Sequence, residues 1–245
     1  MRNVVCILAL LCTVYAFHQD IRDPMRGLER LVNVEKVATK AVLDGLLLLE
    51  EQTTQKLEIK LNELKTEAAL EVHNSITDAL KDVNLSINKG REEGKNVDEC
   101  YYSARNNLET KNTNANAELD TCVDNGRTAM EGPLANVATS IEAAEKLLTD
   151  LDAIIPNCYS RNFLKMQACV MKDLYLSRAT LKRITGNAKE VGAAVAAAYG
   201  KMIITVRSCI TKTTADVRTS STNVVISTET CVRNAAENKP FQLIM

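Results

Sequence analysis

Hydrophobic residues recur every three or four positions through the first half of the chain, which predicts the inner face of one long helix. The repeating positions are Leu57, Leu61, Leu64, Ala68, Val72, Ile76, Leu80, Val83 and Ile87. Asp23 and Pro24 suit the N-cap and the first helical position, and Gly90 suits the end. A first helix is therefore predicted from Pro24 to about Gly90.

Four more apolar stripes of helical period follow, separated by residues that end helices. The predicted helices cover residues 97–126 or 97–132, 134–155, 163–184 and 188–236. Gly132-Pro133, Pro156-Asn157 and Gly186-Asn187 are the predicted breaks. The last helix is rich in Thr, Ser and Val, which have low helix propensity, but its cysteines and valines share one helical face.

The N-terminus has the pattern of a secretory signal peptide. Arg2 precedes the apolar run Val4–Val14, and Val14-Tyr15-Ala16 offers a cleavage site before Phe17. No later apolar run reaches the length of about 20 residues that spans a bilayer. We therefore expect residues 1–16 to be removed and the mature chain to be secreted.

Six cysteines remain after Cys6 and Cys12 are removed with the signal peptide, and an even number suits disulfides in an oxidising compartment. They form three spaced pairs, Cys100 with Cys122, Cys158 with Cys169, and Cys209 with Cys231. Spacings of 22, 11 and 22 residues place each pair on one face of one helix, too far apart to bond. This reasoning predicts a triangle in which each segment bonds to the other two.

Antiparallel helices with reversals near residues 132, 156 and 187 favour the pairs Cys100–Cys231, Cys122–Cys169 and Cys158–Cys209. A second arrangement keeps Cys100–Cys231 and joins Cys122 to Cys158 and Cys169 to Cys209. The predicted fold is all-α, an elongated antiparallel bundle of long helices cross-linked by three disulfides. Its predicted parts are a signal peptide (1–16), a long helix (17–95), a stapled bundle that packs with this helix as one domain (96–236) and a tail (237–245).

The cysteine spacing C-x21-C-x35-C-x10-C-x39-C-x21-C resembles that of the insect secreted proteins with a TsetseEP domain. The first motif is ECYYSARNNLETKNTNANAELDTC and the last is SCITKTTADVRTSSTNVVISTETC. The resemblance covers roughly residues 40–235. It implies a helical protein of an insect extracellular fluid or gut lumen without an assigned catalytic activity. The Glu-Pro repeat tail that names the family is missing from this chain.

Charge is distributed unevenly along the chain. Residues 96–156 carry 4 basic and 11 acidic side chains, whereas residues 157–245 carry 13 basic and 5 acidic ones. We expect the two regions to neutralise each other, and the alternative is an anionic partner such as a glycan, a microbial surface or a membrane surface. The sequence has no arginine cluster or aromatic platform for nucleic acid.

No catalytic motif is evident. His18 and His73 are the only histidines, neither has a second ligand at metal-binding spacing, and G-x-S-x-G is missing. We therefore predict no enzyme activity, no metal and no cofactor. The predicted function is a binding or structural role through helix surfaces without stable membrane insertion, and the alternative is a carrier of lipid or another apolar ligand.

Several surface features add expectations. Asn84-Leu85-Ser86 is an N-glycosylation sequon. Gly192, Ala196 and Gly200 form a smooth strip for close helix packing, and Leu46–Leu49 predicts burial all round the helix. The start of the first helix is predicted to lack a partner inside the subunit, which makes it a candidate interface for a second subunit or a partner helix. Its apolar residues are Leu28, Leu31, Val34, Ala38 and Val42, and the alternative is a short helix folded back at Gly45.

Overall fold

The computed structural model describes residues 24–237 as three long α-helices. They are α1 (Pro24–Glu92, 69 residues), α2 (Asp98–Cys158, 61 residues) and α3 (Phe163–Asn234, 72 residues). Within this range there is no strand, only an isolated antiparallel bridge between Lys95 and Glu237. The all-α class is confirmed. The predicted signal peptide, its cleavage site between Ala16 and Phe17, and residues 238–245 of the tail lie outside the described residues.

Two of the predicted chain reversals are wrong, so three helices replace the predicted five. α2 continues through Gly132-Pro133 and α3 through Gly186-Asn187. Around Pro133, Met130 and Val137 are both fully buried and lie seven residues apart on one face of α2. Their packing outweighs the hydrogen bond that Pro133 cannot donate, because tertiary contacts override local propensity.

The two real reversals have clear local causes. Gly94 adopts a positive φ of 71°, and the N–H of Lys95 donates to the carbonyl of Gly90 over 3.0 Å, which closes α1 with a Schellman-type cap. Gly94 therefore ends α1, whereas the sequence favoured Gly90. At the second reversal Asn162 caps α3, because its Oδ1 accepts the backbone N–H of Lys165 over 3.2 Å.

The described chain divides into two compact units, each with segments of all three helices. Unit 1 contains residues 24–45 and 141–186. Its core is made of large aliphatic side chains and has Leu151, Val170 and Leu174 at its most buried positions. The buried residues of this hydrophobic cluster are Leu28, Val32, Ala144, Leu147, Leu151, Ile154, Cys158, Met166, Val170, Leu174 and Ile184.

The predicted unpartnered overhang at the start of α1 is wrong. Leu28 is only 4% exposed inside the core of unit 1, and Leu31 and Val42 pack against that core. Val34 and Ala38 remain exposed. Because α2 and α3 do not reverse at 132 and 187, their segments in unit 1 run alongside residues 24–45. The alternative of a hinge at Gly45 is also wrong, since α1 is continuous there.

Unit 2 contains residues 46–140 and 187–237 of the described chain. The predicted apolar ladder of α1 from Leu57 to Ile87 lies in the core of unit 2. Leu80 is the exception, since it is half-buried. The Thr-rich part of α3 is helical, and its hydroxyls are satisfied inside the helix by donating to carbonyls four residues earlier, as Thr228 does to Val224 over 2.7 Å. Among the described residues, Ser221 Oγ is the one buried side-chain oxygen or nitrogen without a hydrogen-bond partner.

Close helix packing in unit 2 occurs at other glycines than the sequence indicated. Gly200 and Ala196 are exposed, and a Cβ on Gly200 would meet nothing within 4 Å, so the predicted packing strip is wrong. A Cβ on Gly126 would lie 2.8 Å from Val206 and 2.9 Å from Leu61. Gly126 therefore lets α2 approach α1 and α3 closely.

The Leu46–Leu49 run is not buried on all sides. Leu46 is 2% exposed, but Leu47 and Leu48 are 42% and 50% exposed. By length and composition alone, α3 is a helix that could cross a membrane. It contains an 18-residue window with a mean hydropathy of 1.3, and 22% of that window is buried.

Candidate functional site

Two disulfides join α2 to α3 in unit 2. Cys100 bonds to Cys231 and Cys122 bonds to Cys209, each with the Cα atoms 5.8 Å apart. In each helix, the two cysteines of these bonds are separated by 22 residues, or six turns. The bonds therefore form two rungs about 33 Å apart along the helices. The rungs fix the register of two antiparallel helices at two distant points.

The third disulfide corrects the predicted triangle. Cys158 bonds to Cys169 with the Cα atoms 5.5 Å apart, so Cys122–Cys169 and Cys158–Cys209 are both wrong, as is the arrangement that exchanges them. Cys100–Cys231 is confirmed. The physical reason is that Cys158 ends α2 and Cys169 lies in the second turn of α3, so the 11-residue spacing crosses a chain reversal instead of following one helix.

One signal in the sequence points to the observed pairing. Two antiparallel helices in constant register match equal spacings, and 22 residues separate the cysteines both before and after the reversal at residues 159–162. Cys100 then meets Cys231, and Cys122 meets Cys209. The prediction missed this ladder because it placed two further reversals between the cysteines.

Asp173 lies beside the third disulfide. Cys158 Sγ is 3.5 Å from Asp173 Oδ2, and the potential ligand atoms of Cys158, Cys169 and Asp173 lie within 4.8 Å of one another. The two sulfur atoms are bonded to each other, so neither is a thiolate that could bind a metal ion. The oxidised cluster therefore serves to fix the end of α2 against the start of α3.

A small polar groove lies beside the Cys100–Cys231 bond, with a volume of about 170 Å³. Hydroxyl and amide groups from both helices line it, without a charged side chain: Ser103, Asn107, Asn223, Ser227 and Thr228. A wider groove of about 460 Å³ in unit 1 is lined mainly by charged side chains, including Arg30 and Lys36. Apolar side chains complete both linings, Ala104 and Val224 in the first groove and Val32 and Ile155 in the second.

Ion pairs between helices connect α1 with each of the other two helices. In unit 2, Lys65 of α1 pairs with Asp120 of α2, and Glu71 of α1 pairs with Arg218 of α3. In unit 1, Lys36 pairs with Asp152 and Glu35 with Arg178. In these four pairs, α1 contributes lysines to the acidic α2 and glutamates to the basic α3.

These ion pairs do not show the predicted direct pairing of the acidic residues 96–156 with the basic residues 157–245. The one salt bridge between α2 and α3 within residues 24–237 has the opposite sense, since Lys111 contributes the cation and Asp216 the anion at 2.8 Å.

The most extensive charged cluster is centred on Arg127. Its Nε and Nη2 donate to the two carboxylate oxygens of Glu58, both over 2.9 Å, and Nη1 donates to Asp124 over 2.8 Å. The hydrogen bond from Arg127 lowers the pKa of Glu58, and the same contact raises the pKa of Arg127. Both side chains are about 40% exposed, which suits a structural clamp between α1 and α2.

The remaining predicted site residues are scattered. His73 is exposed on α1, and Asn84 is exposed two turns before α1 ends, where its side chain is open to solvent. All six cysteines from Cys100 to Cys231 are in disulfides, so none of them is a free nucleophile. Glycosylation of Asn84 stays a prediction.

Comparison with known proteins adds one finding. No curated protein matches the chain significantly. Residues 96–215 match the model of a family described as "Protein of unknown function (DUF725)". The matched segment spans α2, the second reversal and most of α3, with five of the six disulfide cysteines, and ends before Cys231. This chain is thus similar to an uncharacterised protein family over its disulfide-stapled α2 and α3.

Proposed function

We propose that the protein is a secreted, non-catalytic binding protein that acts through the outer surfaces of its helices. The observation that carries this proposal is the pair of rungs, Cys100–Cys231 and Cys122–Cys209, which holds α2 against α3 at two points six turns apart. With this register fixed, a ligand cannot enter by separating α2 from α3. The exposed helix faces are then the surfaces left for binding.

An extracellular location is supported by the disulfides, which persist mainly in oxidising compartments. The signal-like residues 1–16 agree with it. The resemblance to TsetseEP proteins supports an insect extracellular fluid or gut lumen as the setting. Expression of the full chain in insect cells tests this part: we expect the medium to contain a protein that begins at Phe17. Retention inside the cells with residues 1–16 attached would contradict it.

The rival function is a carrier that holds a lipid or another apolar molecule between its helices. A carrier needs an apolar cavity of several hundred Å³. Of the two grooves described above, one has a volume of only about 170 Å³ and the other is lined mainly by charged side chains, and the core of unit 2 is tightly packed around Gly126. These features favour surface binding.

Titration with a fluorescent fatty acid, kept below the concentration at which it forms micelles, separates the two functions. We expect no saturable uptake by the oxidised protein, and mass spectrometry of organic extracts from the native protein should find no stoichiometric lipid. The matched control is the Cys122→Ala, Cys209→Ala variant, in which one rung is removed. One molecule of fatty acid bound per oxidised chain would overturn the proposal in favour of the carrier.

A further inference from the structure

The outward face of residues 159–176 in unit 1 exposes an unusual number of large apolar side chains. Tyr159, Leu164 and Tyr175 are 72–73% exposed, and Leu176 is 54% exposed. Leu164, Met171 and Tyr175 follow one another at steps of seven and four, so they form a line about 16 Å long on α3. We call this set the 159–176 surface: Tyr159, Phe163, Leu164, Met171, Tyr175 and Leu176.

This surface is surrounded by cations. Residues 159–186 contain six basic side chains, all exposed, and one acidic side chain. The basic ones are Arg161, Lys165, Lys172, Arg178, Lys182 and Arg183. Arg178 pairs with Glu35, and the other five have no carboxylate within 4 Å among residues 24–237. The acidic one, Asp173, is half-buried beside Cys158 Sγ.

α1 and α2, which carry the acidic side chains, pack against the opposite face of this segment. That opposite face is the buried one, formed by Met166, Val170 and Leu174. The outward face of residues 159–186 therefore combines apolar side chains with an excess of positive charge, the composition of a helix that lies on an anionic lipid surface.

We infer that the 159–176 surface binds the headgroup region of anionic lipid membranes. Tyrosine is enriched at membrane interfaces, and lysine stems can lie along the lipid while their ammonium groups reach the headgroups. A protein partner fits less well, because lysine is depleted in protein interfaces, and Lys165 and Lys172 flank the apolar line. This inference rests on the proposed function, since it names the partner of one helix surface.

The disulfide Cys158–Cys169 holds this surface in place. It joins the end of α2 to the second turn of α3 and so closes the segment that carries Tyr159, Phe163 and Leu164. Within the loop, the N–H of Asn162 donates to Ser160 Oγ over 3.2 Å. The apolar side chains are thus presented by a closed segment, which reduces the entropy lost on binding.

Vesicle sedimentation with the disulfide-bonded protein tests the inference. We expect binding to phosphatidylcholine vesicles that contain about 30% phosphatidylserine, weak binding to pure phosphatidylcholine, and a marked loss of binding when salt is raised above roughly 0.15 M. The variant Leu164→Gln, Tyr175→Gln should bind at least tenfold more weakly, and Lys165→Gln, Lys172→Gln should lose most of the preference for phosphatidylserine.

The matched control is Ile204→Gln, Ile226→Gln, which removes two apolar side chains of 71% and 55% exposure from α3 in unit 2. We expect less than a twofold change in vesicle binding. All exchanged side chains are exposed, so thermal unfolding should confirm that each variant is folded.

Three outcomes would overturn the inference: no sedimentation with anionic vesicles, unchanged binding in Leu164→Gln, Tyr175→Gln, or a loss in the Ile204, Ile226 control as large as in that variant. Heparin that binds as tightly as the vesicles, without dependence on Leu164 and Tyr175, would also overturn it and indicate a general polyanion surface. Such failures leave surface binding to another partner intact, whereas uptake of the monomeric fatty acid would overturn the proposed function itself.

Discussion

The two units differ in how their helices are cross-linked. Unit 2 is closed by two disulfides whose cysteines lie 131 and 87 residues apart in sequence, and its helices approach closely at Gly126. Unit 1 has one local disulfide over 11 residues and a core of leucine, isoleucine, valine and methionine. Both units thus bury large aliphatic side chains, but only unit 2 adds long-range cross-links, and these hold the Thr- and Ser-rich part of α3.

The difference bears on the binding surface that we infer in unit 1. In unit 2, the disulfides compensate for the low helix propensity of the Thr-rich part of α3. In unit 1, only one face of α3 is buried in the core. The outward face carries Leu164 and Tyr175, which are both 73% exposed. A protein that keeps such residues exposed beside a rigid closed loop has a surface that favours an external ligand.

The largest effect is expected from removal of both rungs. Replacing Cys100, Cys122, Cys209 and Cys231 by Ala should lower the free energy of unfolding by about 9 kcal/mol, since loop closure accounts for about 4–5 kcal/mol for each bond. This approaches the entire stability of a typical domain. Replacing Cys158 and Cys169 should cost only about 3 kcal/mol, because the closed loop is short. Urea unfolding followed by circular dichroism measures both, and equal losses would contradict the comparison.

Apolar burial in unit 1 is tested by Leu151→Ala. Leu151 is fully buried in the core of unit 1, so the variant should lose about 2–5 kcal/mol of unfolding free energy. The matched control is Leu164→Ala on the exposed face, which should change stability by less than about 0.5 kcal/mol. A control loss as large as that of Leu151→Ala would show that Leu164 is packed in solution and would contradict an open 159–176 surface.

The close packing in unit 2 is tested by Gly126→Ala. Its Cβ would lie 2.8 Å from Val206 and 2.9 Å from Leu61, so we expect a loss of about 1–3 kcal/mol despite the better helix propensity of Ala. Gly200→Ala on α3 meets nothing within 4 Å and should gain up to about 1 kcal/mol. Thermal unfolding of the two variants should therefore shift in opposite directions, and a stabilising Gly126→Ala would refute the close approach.

The smallest effect is expected at the Glu58–Arg127 clamp. Hydrogen bonding to Arg127 lowers the pKa of Glu58 in the folded state. The stability that this ion pair contributes is therefore fully present above the unfolded pKa of about 4.3 and is lost as the pH falls through the folded pKa. Arg127→Gln should cost at most about 1 kcal/mol at pH 7, since both groups are partly exposed, and less at pH 3. The exposed pair Lys146–Asp150 offers the control Lys146→Gln. A cost that grows toward pH 3 would contradict the assigned role.

The apolar pattern predicted the helical class and most core positions because helix burial follows directly from a period near 3.6. It could not predict that α2 continues through Pro133, since the packing of Met130 and Val137 that compensates for the proline depends on the other helices. The same dependence explains Gly126, which the sequence indicated as a helix end and the fold uses for close packing.

Errors in the cysteine pairing followed from those extra reversals. Helix geometry was applied correctly to Cys100 and Cys122 on α2, but it was also applied to Cys158 and Cys169, which lie on either side of the reversal at residues 159–162. Surface function was the least predictable part. Exposure of Leu164 and Tyr175 depends on which face of α3 the core uses.

Peptide mapping under non-reducing conditions tests the disulfide ladder itself, because the two rungs fix the register of α2 and α3 in unit 2 and Cys158–Cys169 closes the segment that carries Tyr159, Phe163 and Leu164. We expect three linked peptide pairs, joined through Cys100–Cys231, Cys122–Cys209 and Cys158–Cys169, and no free thiol among these six cysteines. A peptide that links Cys122 to Cys169, or Cys158 to Cys209, would contradict it.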